Sequence, residues 1–477
     1  MRPDRRHAAG GRPSMSGTFR SGLTPGRLRT SLPAEGTGGA TRFGAFVLAA
    51  PRGAPETLWR LAEPGETCLL WAPPRGPRLA AIGEVASVPW PHDAGARDGQ
   101  ARSLLAQVGM PDGPDGAGAI PCLLGGAPFD PDRSAGAFEA LGPGRLVLPR
   151  WTWIDDGQAA RLVLVVEHDR DERDLARLAR RGEALLDGLA RTADASAPPR
   201  DGRWTPPPRS AWHRRFERIR SALDAGEVDK LVLAHAGRVE HDEPVDAADV
   251  LARLRSRRDA VTVFGIRRGG TAFVGATPET LFSLRDGHVV ADALAGTISA
   301  PAGADPAEVI DRLGERLLSS AKDRREQQIV VEAVADALRD LCTGVDVPAR
   351  PAIRALGRVV HLSTPISGRV RDGVGWEQLV RALHPTPAVG GHPRDAALRL
   401  IAGIEDEPRG WFAGPFGRID ASGSAHVAVA IRSALIRGGC AELWAGAGIV
   451  RGSRPDAEFE ETLAKMRRLR AALGAPA

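Results

Sequence analysis

The chain has 477 residues, of which 43% are apolar, 26% charged and 5% aromatic. This is the composition of a globular protein with a large buried core, and the length is enough for about three domains. The net charge of +5 invites a nucleic-acid-binding hypothesis. However, residues 1–40 contain seven arginines against Asp4 and Glu35, and the rest of the chain balances 57 basic with 57 acidic residues. The basic charge therefore belongs to the tail, which argues against a body that binds nucleic acid.

The cysteines indicate the redox environment. Cys68, Cys122, Cys342 and Cys440 are widely spaced and form no CxxC pair. A disulfide framework or a zinc site is therefore not expected, and a reducing cytoplasm fits the pattern. No apolar run approaches the length of a membrane span. We expect a cytoplasmic protein without a membrane partner.

Lysine occurs at three positions, Lys230, Lys322 and Lys465, in a chain where Lys and Arg together number 64. Where arginine is this common, a lysine that persists indicates a need for a compact ammonium group that can lose its proton. The alternative is that the three are chance survivors of a codon bias.

In chain order, the first half is predicted to be mainly β-structure. Residues 1–40 show no periodicity and are predicted to be disordered. Strands are predicted at 43–50, 68–71, 79–88 and 120–124, followed by a hairpin of 145–153 and 161–167. A long amphipathic helix is predicted over 171–195, and the proline-rich segment 197–208 is predicted to be a linker or a surface crossing.

The second half alternates between helices and strands. A helix is predicted at 212–225, strands at 230–238, 261–266, 272–275, 281–284 and 289–293, and two long helices at 306–341, with a break, and 455–473. There is no GxGxxG fingerprint and no Walker loop, so a dinucleotide or P-loop site is disfavoured.

Glu326 is the first candidate functional residue. Val330, Val334, Ala337 and Leu341 repeat at helical spacing and predict a buried stripe. Glu326 lies one turn earlier on that stripe, so its carboxylate is expected to point inward. A buried carboxylate needs a cationic partner, a metal or a raised pKa. The alternative is a glutamate exposed near the start of the helix.

The last helix carries a second acidic group. Glu458, Glu461 and Lys465 share one face of this helix, whose N-terminus is predicted to be capped at Ser453. Two inward carboxylates would suit Mg²⁺, which usually takes one or two from the protein. The alternative is an exposed Glu461–Lys465 pair, worth only about 0.2–0.5 kcal/mol.

Three further positions could carry chemistry. Lys230 opens a predicted strand, where a buried amine would have a depressed pKa and serve as a base, although a solvated strand end is the alternative. Glu279 follows a turn and is either a carboxylic acid donor or an exposed charge. The small residues at 445–450 either hold a carboxylate through their N–H groups or form a tight strand crossing.

These segments, taken in order, resemble the chorismate-utilising enzymes, the superfamily of isochorismate, salicylate, anthranilate and aminodeoxychorismate synthases. The motifs that carry the resemblance are KLVLA at 230–234, GATPE at 275–279, LAGT at 294–297, SAKDRRE at 320–326, HLST at 361–364, HPTPA at 384–388, AIR at 430–432, AGAGIV at 445–450 and EFEET at 458–462. Residues 41–200 match more loosely. His235 replaces the arginine usual in its strand, and Ala321 replaces an acidic residue.

The resemblance implies an α+β fold, a large two-layer α/β sandwich of antiparallel sheets like that of anthranilate synthase component I. It implies a single chorismate-utilising domain over 41–477, with an N-terminal part at 41–208 and the motif-bearing core at 209–470, after the disordered tail. It also implies a monomer and a Mg²⁺-dependent site between the sheets.

The branch of the superfamily is predicted from a few positions. Relatives that add water have lysine where this chain has Lys230, and Ala295 stands where aminodeoxychorismate synthases usually have a nucleophilic lysine. Isochorismate-forming relatives tend to have the residues seen at Ala388, Phe412 and Ile431, although Phe412 is uninformative in a chain without tyrosine. The expected enzyme is therefore an isomerase that forms isochorismate, and the alternative is a salicylate-forming enzyme.

The resemblance also assigns roles. Lys230, neutral through burial, would accept a proton from the water that attacks C2 of chorismate, and protonated Glu279 would donate to the departing C4 hydroxyl. Mg²⁺ would be held by Glu326 and Glu461, with Glu458 nearby. The substrate-binding residues would be Gly296, Thr297, His361, Arg432, Gly446, Gly448 and Lys465.

Two matters stay open in the sequence. The product could serve menaquinone, siderophore or salicylate synthesis. A different class of function is a binding protein on a degenerate scaffold that uses its basic tail, but a full set of acid, base and metal residues argues against it.

Overall fold

The computed structural model describes residues 24, 41–92, 96–109, 121–133, 136–191, 197–256, 260–299, 306–356 and 359–476. The tail predicted to be disordered lies outside the described residues, apart from Thr24. No helix in the described ranges combines the length and the apolar character needed to cross a membrane. The four cysteine thiols are free.

The strands follow the predicted order and are mostly longer than predicted. In the described residues they are β1 (Phe43–Ala50), β2 (Cys68–Ala72), β3 (Arg78–Pro89), β4 (Val108–Gly109), β5 (Cys122–Gly126), β6 (Arg145–Asp155), β7 (Ala160–Glu167), β8 (Arg203–Thr205), β9 (Lys230–Glu240), β10 (Thr262–Arg268), β11 (Thr271–Thr277), β12 (Thr280–Arg285), β13 (His288–Ser299), β14 (Cys342–Asp346), β15 (Ala352–Leu356), β16 (Val359–Val370), β17 (Gly391–His392), β18 (Pro415–Asp420), β19 (Ala425–Val429), β20 (Ser433–Arg437) and β21 (Cys440–Ile449).

The described helices include all those that the sequence predicted. They are α1 (Glu56–Arg60), α2 (Gln100–Ala106), α3 (His168–Asp171), α4 (Leu175–Arg191), α5 (Arg209–Asp224), α6 (Ala247–Arg255), α7 (Pro306–Ser319), α8 (Ala321–Leu341), α9 (Trp376–Leu383), α10 (Arg394–Ile404) and α11 (Pro455–Ala472), with 3-10 turns at Pro131–Arg133, Glu139–Leu141 and Glu172–Asp174. The helix predicted from 171 therefore begins as short turns, and residues 192–196 lie outside the described ranges.

Two helix starts show what the sequence predicted well and what it did not. The predicted break in 306–341 falls at Ser320, whose hydroxyl caps α8 by accepting from the Asp323 N–H. The predicted cap at Ser453 is wrong. Arg454 is the N-cap residue of α11, and the Ser453 hydroxyl accepts instead from the Val450 N–H in the preceding turn.

The sheet forks at β6. Its first residues pair with β5 and its last residues with β7, while β3 follows it along nearly its whole length. Pro149 lies between the two parts, opposite a register shift in β3, and it has no N–H to donate to a ladder. The first branch leaves β6 through β3 and continues through β2, β10, β11, β20, β21 and β9; the second leaves it through β5 and continues through β18, β19, β12, β13 and β16. Beyond β7, the sheet is completed by β1 and β4.

The two branches pack face to face. On β2, Leu69 and Trp71 point into the core between the branches, whereas Cys68 and Leu70 face a second core beneath the helices. The Trp71 ring lies 6.2 Å from that of Phe416 on the other branch. Apart from β1 with β4, the pairings of the described strands are antiparallel. The predicted antiparallel α+β sandwich is confirmed.

Candidate active site

Residues from both branches and from α8 and α11 line one cavity, called here the central cavity. The predicted site residues that line it are Glu279, Thr297, Glu326, His361, Arg432, Gly446, Gly448 and Lys465. Lys230, Gly296, Glu458 and Glu461 are not part of this lining, although Lys230 and Glu461 contact lining residues, Glu326 and Lys465. Segments far apart in the sequence therefore meet at one place, as the motif order led us to expect.

Lys230 is held at the start of β9. This strand pairs with β21, with Val232 opposite Gly448. The lysine is fully buried, and its Nζ lies 2.9 Å from Oε1 of Glu326. It has no other polar partner in the described part of the chain. The solvated strand end that was the alternative for Lys230 is therefore excluded.

Glu326 points inward, as its place on the helical stripe predicted. Val330 and Val334 on the same stripe are buried in the core, and the Glu326 side chain is 13% exposed. Burial alone would raise the pKa of this carboxyl, but Lys230 and then Lys322 outweigh that effect, so the pKa of Glu326 lies below its usual value.

That Lys230 is neutral stays a prediction. The structure adds a partner for its amine, because Oε1 of Glu326 lies 2.9 Å from Nζ of Lys230. Spacing along the sequence gave no sign of this pair, because β9 and α8 are nearly 100 residues apart.

Gly448 makes room for this pair. A Cβ at this position would lie 2.4 Å from Oε1 of Glu326 and 2.8 Å from Cε of Lys230. At Gly446, by contrast, the nearest atoms to an added Cβ would be 3.1 Å away. Both glycines line the central cavity, but a side chain at Gly448 would displace the Lys230–Glu326 pair, whereas one at Gly446 would not reach it.

We expect Gly448→Ala to lower kcat/KM for the reaction proposed below by about 100-fold, because a displacement near 1 Å at a reacting group can cost that much. Gly446→Ala is the matched control and should have a clearly smaller effect. Steady-state kinetics on the two folded variants checks this. Equal losses in both would contradict the steric argument.

Glu279 lies in the turn between β11 and β12 and is 5% exposed. The Thr277 hydroxyl accepts from the Glu279 N–H, and the Glu279 carbonyl accepts from the Val429 N–H. Burial, with a contribution from Asp292, raises the pKa of the Glu279 carboxyl to about 8, against the opposing charge of Lys230. The group is therefore protonated at neutral pH, as a proton donor must be.

A cationic region lies on the same cavity. Lys465 donates to the Gly446 carbonyl at 2.9 Å. Burial lowers the pKa of Arg432 to about 10, so the guanidinium remains charged at neutral pH. Arg432 has a positive φ of 53°, a conformation that non-glycine residues rarely adopt outside functional sites. Its side chain has no hydrogen-bond partner in the described ranges, which leaves it available to an anion.

His361 and Thr297 form the wall beside these cations. Gly296, at φ 62°, is the extra residue of a bulge between β13 and β16. The bulge sets Thr297 opposite His361, with Oγ1 of the threonine 3.1 Å from Nδ1 of the histidine. Burial, followed by the charges of Arg432 and Lys465, holds the pKa of His361 well below its usual value, so the imidazole is neutral.

All three lysines of the chain pair with glutamates predicted to bind a metal. Besides the Lys230–Glu326 pair, Lys322 donates to Glu458, and Lys465 lies 2.7 Å from Glu461. The last pair is the i,i+4 contact considered above, but its side chains are only 16% and 21% exposed. It therefore belongs to the wall of the site rather than to the surface.

The acidic side chains are compatible with a hard cation. The pKa of Glu458 lies above its usual value, because burial and the charges of Glu461 and Glu326 raise it by more than Lys322 lowers it. Three carboxylates thus repel one another and are at present neutralised by lysines. No group of three or more His, Cys, Asp or Glu among the described residues is arranged to hold a metal as the side chains lie. Mg²⁺, however, needs only one or two carboxylates, its other ligands being water or substrate.

The sequence analysis missed Arg409, which also lines the central cavity. The available signal was the spacing of Glu405 and Arg409, four residues apart after an amphipathic helix. The three positions used to choose the branch, Ala388, Phe412 and Ile431, line the same cavity. They are therefore in a position to affect the product.

Comparison with known proteins identifies the family of the chain. Residues 53–474 match the family described as chorismate binding enzyme, and the chain belongs to that family. It is 36% identical over 376 residues to the salicylate biosynthesis isochorismate synthase of Pseudomonas aeruginosa, which covers 78% of this chain and 77% of the relative. It is 38% identical over 263 residues to the isochorismate synthase MenF of Bacillus subtilis, covering 55% of each protein.

Solved structures extend the similarity to nearly the whole chain. MenF, the menaquinone-specific isochorismate synthase from Escherichia coli, superposes with a TM-score of 0.75 at 27% identity, covering 94% of this chain and 98% of that one. Anthranilate synthase component I from Streptococcus pneumoniae superposes with a TM-score of 0.64 at 19% identity, covering 97% of this chain and 100% of that one. The second likeness concerns the fold alone.

Proposed function

We propose that this protein is an isochorismate synthase, an isomerase that converts chorismate to isochorismate. The observation that carries the proposal is a buried carboxylic acid, Glu279, with a pKa of about 8, which lines the same cavity as Glu326, the partner of Lys230. An acid and a latent base beside one cavity are what a displacement by water requires. The names of the relatives support the choice of substrate.

The reaction takes in one water molecule and releases another. Lys230 accepts a proton as the water oxygen bonds to C2 of the ring, the ring double bonds shift, and the C–O bond at C4 breaks. Glu279 donates its proton to the departing hydroxyl, which leaves as water. Transfer of a proton from the Lys230 ammonium to the Glu279 carboxylate restores the starting state. Atoms and charge balance without a redox partner.

The cations of the central cavity bind the substrate carboxylates. Arg432 and Lys465, with backbone N–H groups of the segment from Gly446 to Gly448, receive the enolpyruvyl carboxylate. Thr297 and neutral His361 line the ring. Because the imidazole is neutral, the positive charge that faces the substrate carboxylate comes from Arg432 and Lys465.

We also propose that Mg²⁺ is held by Glu326 and Glu461, with Glu458 nearby. When bound, it supplies positive charge that holds the ring carboxylate of chorismate. Glu326 also contacts Lys230, at 2.9 Å, so a proposed metal ligand and the proposed base are direct neighbours.

Removal of divalent metal by a chelator is expected to abolish turnover, and added Mg²⁺ should restore it. Glu461→Gln should raise the Mg²⁺ concentration needed for half-maximal rate by about 10-fold or more, since it removes one charged ligand. Titration of initial rate against Mg²⁺ checks this. Full activity in excess chelator would contradict the proposed metal site.

The second candidate function is salicylate synthesis, which adds elimination of pyruvate to the same first step. The cavity lining favours isochorismate, because Ala388 and Ile431 stand where the lyase-competent relatives tend to have threonine and leucine. Chromatographic analysis of the products of chorismate and Mg²⁺ distinguishes the two. Salicylate with an equal amount of pyruvate as the main product would move the assignment to this second candidate.

A further inference from the structure

One buried ion pair forms part of the cavity wall without belonging to the acid, base or metal groups. Arg409 and Glu405 are 3% and 6% exposed. They make a two-point contact, Nε to Oε2 at 2.8 Å and Nη2 to Oε1 at 2.7 Å. A charge this deeply buried is costly unless its hydrogen bonds are complete. The remaining bonds of the pair therefore indicate what it holds.

The pair continues the hydrogen bonding of β9 where its neighbouring strand ends. The short β17 pairs with β9 at residues 230 and 231, and the Val232 N–H donates to the Gly390 carbonyl at 2.8 Å. Beyond that point, Arg409 Nη2 donates to the Val232 carbonyl at 2.7 Å. The Ala234 N–H donates to Glu405 Oε1 at 2.9 Å. Side chains thus replace a partner strand two residues after Lys230.

Arg409 also holds a second wall of the central cavity. Its Nη1 donates to the Val389 carbonyl at 2.6 Å, next to Ala388, and both of these residues line the cavity. The guanidinium carbon lies 4.4 Å from the centre of the Phe129 ring, which packs against it. One side chain therefore connects the strand of Lys230 to the segment that contains Ala388, one of the positions from which the branch was predicted.

We propose that Arg409, oriented by Glu405, is a positioning residue that fixes the strand of Lys230 relative to the wall formed by Ala388 and Val389. This rests on the proposed function, because the group that it positions is the base of that reaction. Lysine cannot replace arginine here: a single ammonium cannot make the two-point contact with Glu405 and reach both carbonyls in the same plane.

The test is Arg409→Lys, measured by kcat and KM for isochorismate formation per folded molecule. We expect kcat to fall about 10- to 100-fold, while KM stays within about threefold, because the base is displaced but the substrate cations are untouched. Glu405→Gln keeps an oxygen acceptor for the Ala234 N–H and should show the same split with a smaller loss. It also serves if Arg409→Lys does not fold.

Arg150→Lys is the matched control. Arg150 lies on β6, donates to the Val165 carbonyl at 2.8 Å and pairs with Asp171; none of these three residues lines the central cavity. It should lower the unfolding temperature and leave kcat unchanged.

Two results overturn the positioning role. One is an Arg409→Lys or Glu405→Gln enzyme whose kcat and KM are both those of the wild type. The other is an unchanged kcat with a raised KM, which would make Arg409 a substrate contact. A wild-type enzyme that forms no isochorismate would instead refute the proposed function, and the positioning role with it.

Discussion

Replacing Lys230 by arginine is expected to lower kcat by at least about 100-fold, the usual contribution of a general base. Arginine still offers N–H donors to Glu326, so the fold and the binding of chorismate should survive. Its guanidinium does not lose a proton in proteins, so it cannot accept one from water. Steady-state rates, with calorimetric binding of chorismate to the inactive variant, separate these effects.

The same substitution at Lys465 is the informative comparison. Lys465 contacts Glu461 and the Gly446 carbonyl, and its proposed role needs only a cation near the substrate carboxylate. Lys465→Arg should therefore change KM more than kcat. Near-wild-type kcat in Lys230→Arg would rule out the base assignment, whatever happens at Lys465.

Replacing Glu279 by glutamine is expected to lower kcat about 100- to 10,000-fold, because the amide keeps the shape of the side chain but cannot act as the acid. In the wild-type enzyme, kcat/KM should fall as the pH rises through about 8, where the carboxyl loses its proton. Rate profiles between about pH 6 and 10 check both statements. A rate that keeps rising above pH 9, at about one unit beyond that pKa, would exclude Glu279 as the donor.

The stability of the protein gives an independent check on the same group. The pKa of Glu279 is raised from 4.5 to about 8 in the folded chain, so between these values unfolding releases a proton. The free energy of unfolding should therefore decrease as pH rises through this window, and Glu279→Gln should remove that decrease. The free energy of unfolding of the variant, compared with that of the wild type at the same pH, should therefore be higher at pH 8 than at pH 5. Denaturant titrations at the two pH values measure this difference.

Local patterns in the sequence were sufficient to predict many parts of the site. The helical repeat of Val330 and Val334 predicted that Glu326 points inward, because the same periodicity that buries apolar residues also orients the polar one. The order of the motifs then placed Lys230, Glu279 and Arg432 in one family fold. Strand positions followed from alternation and turn residues, and a break in the helix 306–341 was predicted, although its position at Ser320 was not.

Contacts between distant elements could not be predicted in the same way. The ion pair of Lys230 with Glu326 depends on how β9 and α8 pack, and no spacing in the sequence encodes it. The same holds for Arg409, whose partners Val232 and Val389 are backbone carbonyls and therefore carry no sequence signal. The incorrect cap at Ser453 shows the limit even for local rules, since a competing turn bond uses its hydroxyl.

The three lysines illustrate both cases. Their survival in an arginine-rich chain suggested a chemical need, and each of them pairs with a different one of the three glutamates predicted to bind a metal. The i,i+4 spacing of Glu461 and Lys465 made one of these pairs visible in the sequence. The pairs of Lys230 with Glu326 and of Lys322 with Glu458 join separate elements or helices, and the sequence could not show them.

The most direct test of the central claim is turnover of chorismate and Mg²⁺ in water enriched in oxygen-18, followed by mass spectrometry of the product. Addition of water at C2 with loss of the C4 hydroxyl predicts isochorismate carrying one heavy oxygen atom on the ring at C2. Isochorismate without the label would show that the hydroxyl migrates within the substrate. That result would contradict the assignment of Lys230 and Glu279 as base and acid.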